Sequence, residues 1–149
     1  MLQQGQKRRH SRRRALQALY QWELAEGDVR DIDAQFLATQ DMSKADVGYF
    51  QALLHNVAAT LTEIDAELQP CLDRDLARLD PIERNILRIA THELRARPDI
   101  PYRVIINEAV ELTKSFGAEQ GHKYVNGVLD ALAQQLRAHE MASPVNAGR

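Results

Sequence analysis

The sequence predicts an all-α fold, a compact helical bundle of about seven helices. Three observations carry that expectation. Apolar residues recur at steps of three and four along most of the 149 residues. No stretch sustains the period-2 alternation of a half-buried strand, and β-branched residues are scattered. Pro70, Asp80-Pro81, Pro98 and Gly117 stand where periodic segments begin or end. The length suits one domain, built as two three-helix halves that meet near Pro70 to Asp80.

The first helix is expected from Arg9 or Ser11 to Glu26, stopping before Gly27. Ala15, Leu16, Leu19, Tyr20 and Trp22 form its buried side. A second, shorter helix runs from about Arg30 to Thr39, anchored by Ile32, Phe36 and Leu37. Ser43 can cap a third, with Asp46 three residues on in a capping-box-like pair. Leu54, Val57, Leu61, Ile64 and Leu68 then hold one side of that helix until Gln69-Pro70 ends it. This stripe reads as core; an intermolecular coiled coil usually needs a longer repeat.

Asp80 is a good N-cap, Pro81 suits the first helical position, and Glu83 completes a capping box. Together these contacts are worth roughly 1–2 kcal/mol. Ile82, Ile86, Ile89, Ala90 and Leu94 make the inner face of the helix they open. Pro98 and Pro101 close it and stiffen a short connector. From Tyr102 to Phe116 the face is Ile105, Ala109, Leu112 and Phe116, with Gly117 at the end. The last helix, about Glu119 to Ala138, points Val125, Val128, Leu129, Leu132 and Leu136 inward. Asn126-Gly127 lies within it, although such a pair usually signals a hairpin. Close helix–helix approach at Gly127 is one compensation, and a ligand-facing Asn126 is the sharper alternative. The resulting domain spans 9–139 (subdomains about 9–69 and 76–139), between a flexible basic N-terminus, 1–8, and a flexible tail, 140–149.

Composition excludes several classes. No apolar run approaches the ~20 residues of a membrane span. No apolar stretch of signal-peptide type follows the N-terminal cations. A lone Cys71 rules out an internal disulfide framework, fits a reducing cytoplasm, and reads as a small buried hydrophobe rather than a nucleophile. In "THEL" (Thr91 to Leu94) the position four after His92 is Ala96, not the second His of a zincin helix. The five histidines show no metal-ligand spacing. No Gly-x-Ser-x-Gly, Walker loop or dinucleotide fingerprint occurs. Glu108 and Glu111 share a helix face but have no nucleophile near them in sequence, so solvated charge is the simpler reading.

Charge is distributed unevenly. The chain carries a net −2, yet Lys7, Arg8, Arg9, Arg12, Arg13 and Arg14 crowd into 7–14, with no acid before Glu23. Set those six aside, and the remaining 13 of 19 cations face 21 acids. A polyanion would be steered to the basic end of such a molecule. The plain alternative is a solvated terminal tail. Two features weigh against it. Arg8 with Arg12, and Arg9 with Arg13, stand four apart, so a helical extension stacks each pair on one side. The run also joins the apolar helix with no Gly or Pro hinge. No helix-turn-helix is evident, which favours single-stranded RNA over duplex DNA. Arg planes, Tyr20, and Lys123 with Tyr124 could supply stacking and phosphate contacts; a Tyr124 that simply packs is an equal reading.

"ALQALYQWEL" after an Arg cluster, "LDPIERNILRIATHEL", "PYRVIINEAVELTKSFG" and "HKYVNGVLDAL" together resemble the NusB family of bacterial transcription antitermination factors. The match runs from about Arg8 to Leu136. It implies two three-helix subdomains and binding to boxA, a short single-stranded element of nascent ribosomal RNA leaders. It implies a partner, NusE, which is the small-ribosomal-subunit protein S-ten. The pair would join NusA and NusG on RNA polymerase and suppress premature termination, with no catalysis and no cofactor. The family's arginine-rich RNA motif falls on Arg8, Arg9 and Arg12, with Arg13 and Arg14 either compensating for the departures or shifting the register. His10 stands where a third Arg is common, and Ser11 where a small apolar residue is common. Glu119 to Asn126 looks like the second RNA-contact region, with Lys123 and Tyr124 its leading residues; Tyr124 replaces the commoner Phe. Glu83, with Tyr20 nearby in the family's arrangement, is the implied NusE contact.

Two other classes are weighed. NusB-like domains also occur as RNA-binding appendages of RNA cytosine methyltransferases; 149 residues are expected to leave no room for a cofactor-binding α/β domain, and a reading frame running past Arg149 would favour this class. A self-associating helical structural protein would rest on the Leu54 to Leu68 stripe and on the family's occasional homodimers.

Overall fold

The computed structural model describes residues 2–142. Among them are eight α-helices and no strand, and no helix is long and apolar enough to cross a membrane. The backbone clusters into two compact units, the first ending at Thr62 and the second starting at Glu63.

In the first unit α1 (Gln4–Ala25), α2 (Val29–Thr39) and α3 (Val47–Ala59) each pack on the other two. Leu16, Leu19, Phe50, Leu53 and Leu54 are fully buried there, and Phe36 stacks on Phe50 at 5.9 Å between centroids. Helix α1 starts well before the expected Arg9, so most of the segment expected to be flexible is helical. The cause is local: Gln3 and Gln6 form a capping box, and the Gln4 amide donates to Asp46 Oδ2 at 3.0 Å. Tyr20 and Trp22 are half-exposed rather than buried, and Trp22 Nε1 donates to the Gly27 carbonyl at 2.8 Å. Leu37 is exposed, leaving Ile32 and Phe36 as the anchors of α2.

The third helix departs from expectation at both ends. Ser43 does not cap it; the Ser43 N–H donates to Asp41 in a turn, and Asp46 is the N-cap, accepting from Tyr49 N at 3.1 Å. Nor does the leucine stripe follow one helix. Thr60 leaves helical geometry, its hydroxyl donating to the Asn56 carbonyl at 2.7 Å, and α4 (Leu61–Leu68) begins afresh.

In the second unit α5 (Pro81–Ala96), α6 (Tyr102–Phe116) and α7 (Gly121–Leu136) pack on one another. Helix α5 is more central than its apolar stripe implies, for every residue from Asn85 to Leu94 is buried. Its polar groups have partners: Arg88 makes a two-pronged pair with Asp65 at 2.9 and 3.0 Å, and Thr91 donates to the Leu87 carbonyl. Asp80 caps the helix through Ile82 N and Glu83 N. Glu83 does not complete the box; its carboxylate turns to the start of α7, into space that a Cβ on Gly121 would fill. Gly127 is exposed with nothing within 4 Å of where a Cβ would stand, so no close helix approach compensates for it.

Glu140, expected in the tail, belongs to α8 (Ala138–Met141) and accepts the Tyr102 N–H at 2.8 Å. Met141 ends the same helix, and residues 143–149 of the expected tail lie outside the described residues.

Candidate nucleic-acid interface

The cationic run 7–14 is helical throughout. Arg8 and Arg12, one turn apart, both lie over the Tyr49 ring, with guanidinium carbons 5.0 and 5.6 Å from its centroid. Tyr49 is buried, and Arg12 is only 3% exposed. Such cation–π contacts are worth about 0.5–2 kcal/mol each. Arg12, expected on the RNA-facing side, is therefore part of the foundation; helical spacing that aligns it with Arg8 also carries it onto the ring. Arg8 is half-exposed, with a buried Nε that has no hydrogen-bond partner. Arg9 is exposed; Lys7, Arg13 and Arg14 are half-exposed. Arg14 Nη1 is held by Gln17 Oε1 at 2.8 Å.

Ser11 fixes this helix to the start of α3. Its hydroxyl is fully buried, donates to the Asp46 carbonyl at 2.7 Å and accepts the Asp46 N–H at 2.9 Å. A small apolar residue could make neither bond. The bond from Gln4, the Tyr49 N–H and the nearby Arg8 charge hold the Asp46 carboxyl below the usual range. His10 reports the local field. Burial, then Lys44, Arg13, Arg14 and Arg9, push its pKa down from the ordinary histidine value. Lys44, in the α2–α3 loop, thus belongs to the same positive surface.

Lys123 and Tyr124 lie in the first turn of α7. Lys123 is exposed and Tyr124 half-exposed. Tyr124 is neither simply packed nor bare. Its hydroxyl donates to Asp73 Oδ1 at 2.8 Å, and the Arg74 guanidinium lies 4.9 Å from the ring centroid. Arg74 donates to both oxygens of Asp73, at 2.6 and 3.1 Å. Those bonds, with the phenol, hold the Asp73 carboxyl down to about 2.

Of the implied protein contacts, Tyr20 is half-exposed and lines a shallow groove with Gln17, Gln21, Leu24, Phe36 and Gln40. Glu83 is 9% exposed, which leaves little of it open to a partner, and burial, reinforced by Asp80, pushes its pKa up. Among the described residues no group of three His, Cys, Asp or Glu could hold a metal ion. Burial and Glu67 raise the Cys71 thiol pKa, opposite to the direction of activation.

The model of the NusB family matches residues 9–134. The chain belongs to the NusB family. It is 56% identical over 133 residues to the transcription antitermination protein NusB of Alcanivorax borkumensis, covering 89% of each chain. It is 52% identical over 135 residues to that of Pseudomonas entomophila, covering 91% of this chain and 81% of the relative. Among solved structures, T. maritima NusB superposes with a TM-score of 0.77 at 34% identity, covering 86% of this chain and 91% of that one. A crystal structure of the antitermination factors NusB and NusE in complex with dsRNA gives a TM-score of 0.79 at 26% identity, covering 87% and 97%.

Within this NusB-family scaffold, sequence reasoning missed three residues that shape the basic sites. Lys44 is an isolated cation next to Asp46, and its place beside His10 is a matter of tertiary packing. Tyr49 carried no signal, since an aromatic on an apolar helix face usually marks core. Arg74 stands between Asp73 and Asp75, so the local charge count gives it no cationic signal.

Proposed function

We propose that this chain is a transcription antitermination adaptor. It binds boxA-type single-stranded RNA of nascent ribosomal transcripts together with NusE, and hands the pair to RNA polymerase with NusA and NusG. It works in the cytoplasm and performs no catalysis. The observation that carries this reading is the helical cationic run, held by Tyr49 beneath and Ser11 at its side. Cations presented by an ordered helix lose less entropy on meeting phosphates than those of a free chain. Near-full-length relatives bear the antitermination name, and one solved relative holds NusE and double-stranded RNA. The acid-rich remainder of the chain suits a basic ribosomal protein.

The deciding measurement is a titration with boxA RNA, with and without NusE, against a duplex of the same sequence. NusE is expected to tighten binding, and the single strand to win over the duplex. RNA affinity unchanged by NusE would overturn the adaptor reading.

His10 gives this interface a pH signature. Burial, and then the charges of Lys44, Arg13, Arg14 and Arg9, disfavour imidazolium in the free protein. Phosphates arriving there favour it, so binding takes up a proton. RNA affinity should therefore rise as pH falls from about 7.5 to about 6. His10→Gln should flatten that rise. Folding runs the other way: a depressed histidine pKa stabilises the neutral form, and that contribution is lost as pH falls through the folded-state value.

A further inference from the structure

We propose that Arg74 is an RNA-stacking residue: its guanidinium, laid over the Tyr124 ring and held in plane by Asp73, offers its outer face to an unpaired base. This assignment rests on the RNA-binding reading above.

Arg74 and Asp73 are both exposed, with side chains 46% and 60% open to solvent. Exposed ion pairs are usually loose. This one is tied into a network of hydrogen bonds. Asp73 grips Arg74 with both oxygens, and the same carboxylate accepts the Tyr124 hydroxyl. The Asp73 N–H donates back to that hydroxyl at 3.3 Å. Gln69 closes the loop behind, donating to the Arg74 carbonyl at 2.8 Å and accepting the Leu76 N–H at 2.9 Å. The result is a planar cation held 4.9 Å from the Tyr124 ring centroid, with nearly half of its side chain open to solvent.

Chemistry narrows what that face would take. Unpaired bases stack on guanidinium planes as readily as on aromatic rings. The charge of Arg74 is largely spent on Asp73, so a phosphate gains little by displacing that carboxylate. A nucleobase needs only the plane. The phenol is part of the device, since a phenylalanine at 124 would leave the Asp73 carboxylate without its third anchor.

The test removes the pair without changing net charge. In the full-length protein with NusE and boxA RNA, the double variant Asp73→Ala, Arg74→Ala should bind about tenfold more weakly or worse. Its salt dependence should match that of the unmodified protein, because no phosphate contact has gone. Arg74→Lys keeps the charge, loses the plane, and should also bind weakly. Wild-type affinity in the double variant, or in Arg74→Lys, overturns the assignment. Arg9→Ala runs alongside. If it weakens binding while the Arg74 variants do not, only this assignment falls. If Arg9→Ala also binds normally, the RNA reading falls with it.

Discussion

Replacing Arg137 with leucine should lower the free energy of unfolding by about 3–5 kcal/mol, the range expected when one member of a buried ion pair is removed. Arg137 is 7% exposed. Its Nε donates to the Leu94 carbonyl at 2.9 Å, and its Nη1 to the Ile100 carbonyl at 3.0 Å and to Glu140 at 2.6 Å. Its Nη2 donates to the carbonyls of Glu93 and Arg97 at 3.2 and 2.8 Å. Helix ends leave carbonyls without intrahelical partners, and Pro98 prevents α5 from continuing to serve them. A single guanidinium serves the Leu94 and Ile100 carbonyls and is a second donor to those of Glu93 and Arg97, which also accept the Arg97 and Ile100 N–H groups. Leucine fills much of the volume and satisfies none of these groups, and the half-buried Glu140 carboxylate loses its Arg137 partner. Urea denaturation followed by circular dichroism measures the loss. A change below about 1 kcal/mol would mean that water reaches those carbonyls and that the clamp is ornamental.

The largest functional effect is expected from neutralising the outward cations of α1 together. Lys7→Ala, Arg9→Ala and Arg13→Ala in one protein should weaken boxA binding by about a hundredfold or more at low ionic strength. For a single strand, three lost phosphate contacts should flatten the dependence of log affinity on log salt by about two units. Folding should be little changed, since Arg8 and Arg12 still cover Tyr49 and Ser11 still holds Asp46. Titration across a salt series, beside a thermal melt, separates the two effects. An unchanged slope would place the phosphates elsewhere on the protein. Arg12→Ala offers the contrast, because a residue 3% exposed should register chiefly in the melt.

That contrast shows where the sequence was legible. Asp80-Pro81, Gln69-Pro70 and Gly117 mark helix boundaries because their chemistry acts within a few residues, and the structure places the ends there. Leucine and isoleucine periodicity located most of the core for the same reason. Charge type, in contrast, says nothing of direction. Arg12 and Arg9 are the same residue to any composition count, and only the distant Tyr49 ring decides which is buried. Glu83 obeyed the pattern of a capping box, yet the glycine that opens α7 gave its carboxylate somewhere else to go. At Thr60 the backbone leaves helical geometry in the middle of an uninterrupted leucine stripe, a break the apolar period cannot register.

The Ser11 anchor has a consequence for how this helix can change over generations. Outer positions such as Arg9 each add a screened, separable increment, so they can drift one at a time and be repaired by a neighbour. Ring, paired guanidinium and hydroxyl form an indivisible mount. Tolerance to mutation along α1 should thus rise and fall with the turn of the helix rather than fade steadily away from its end.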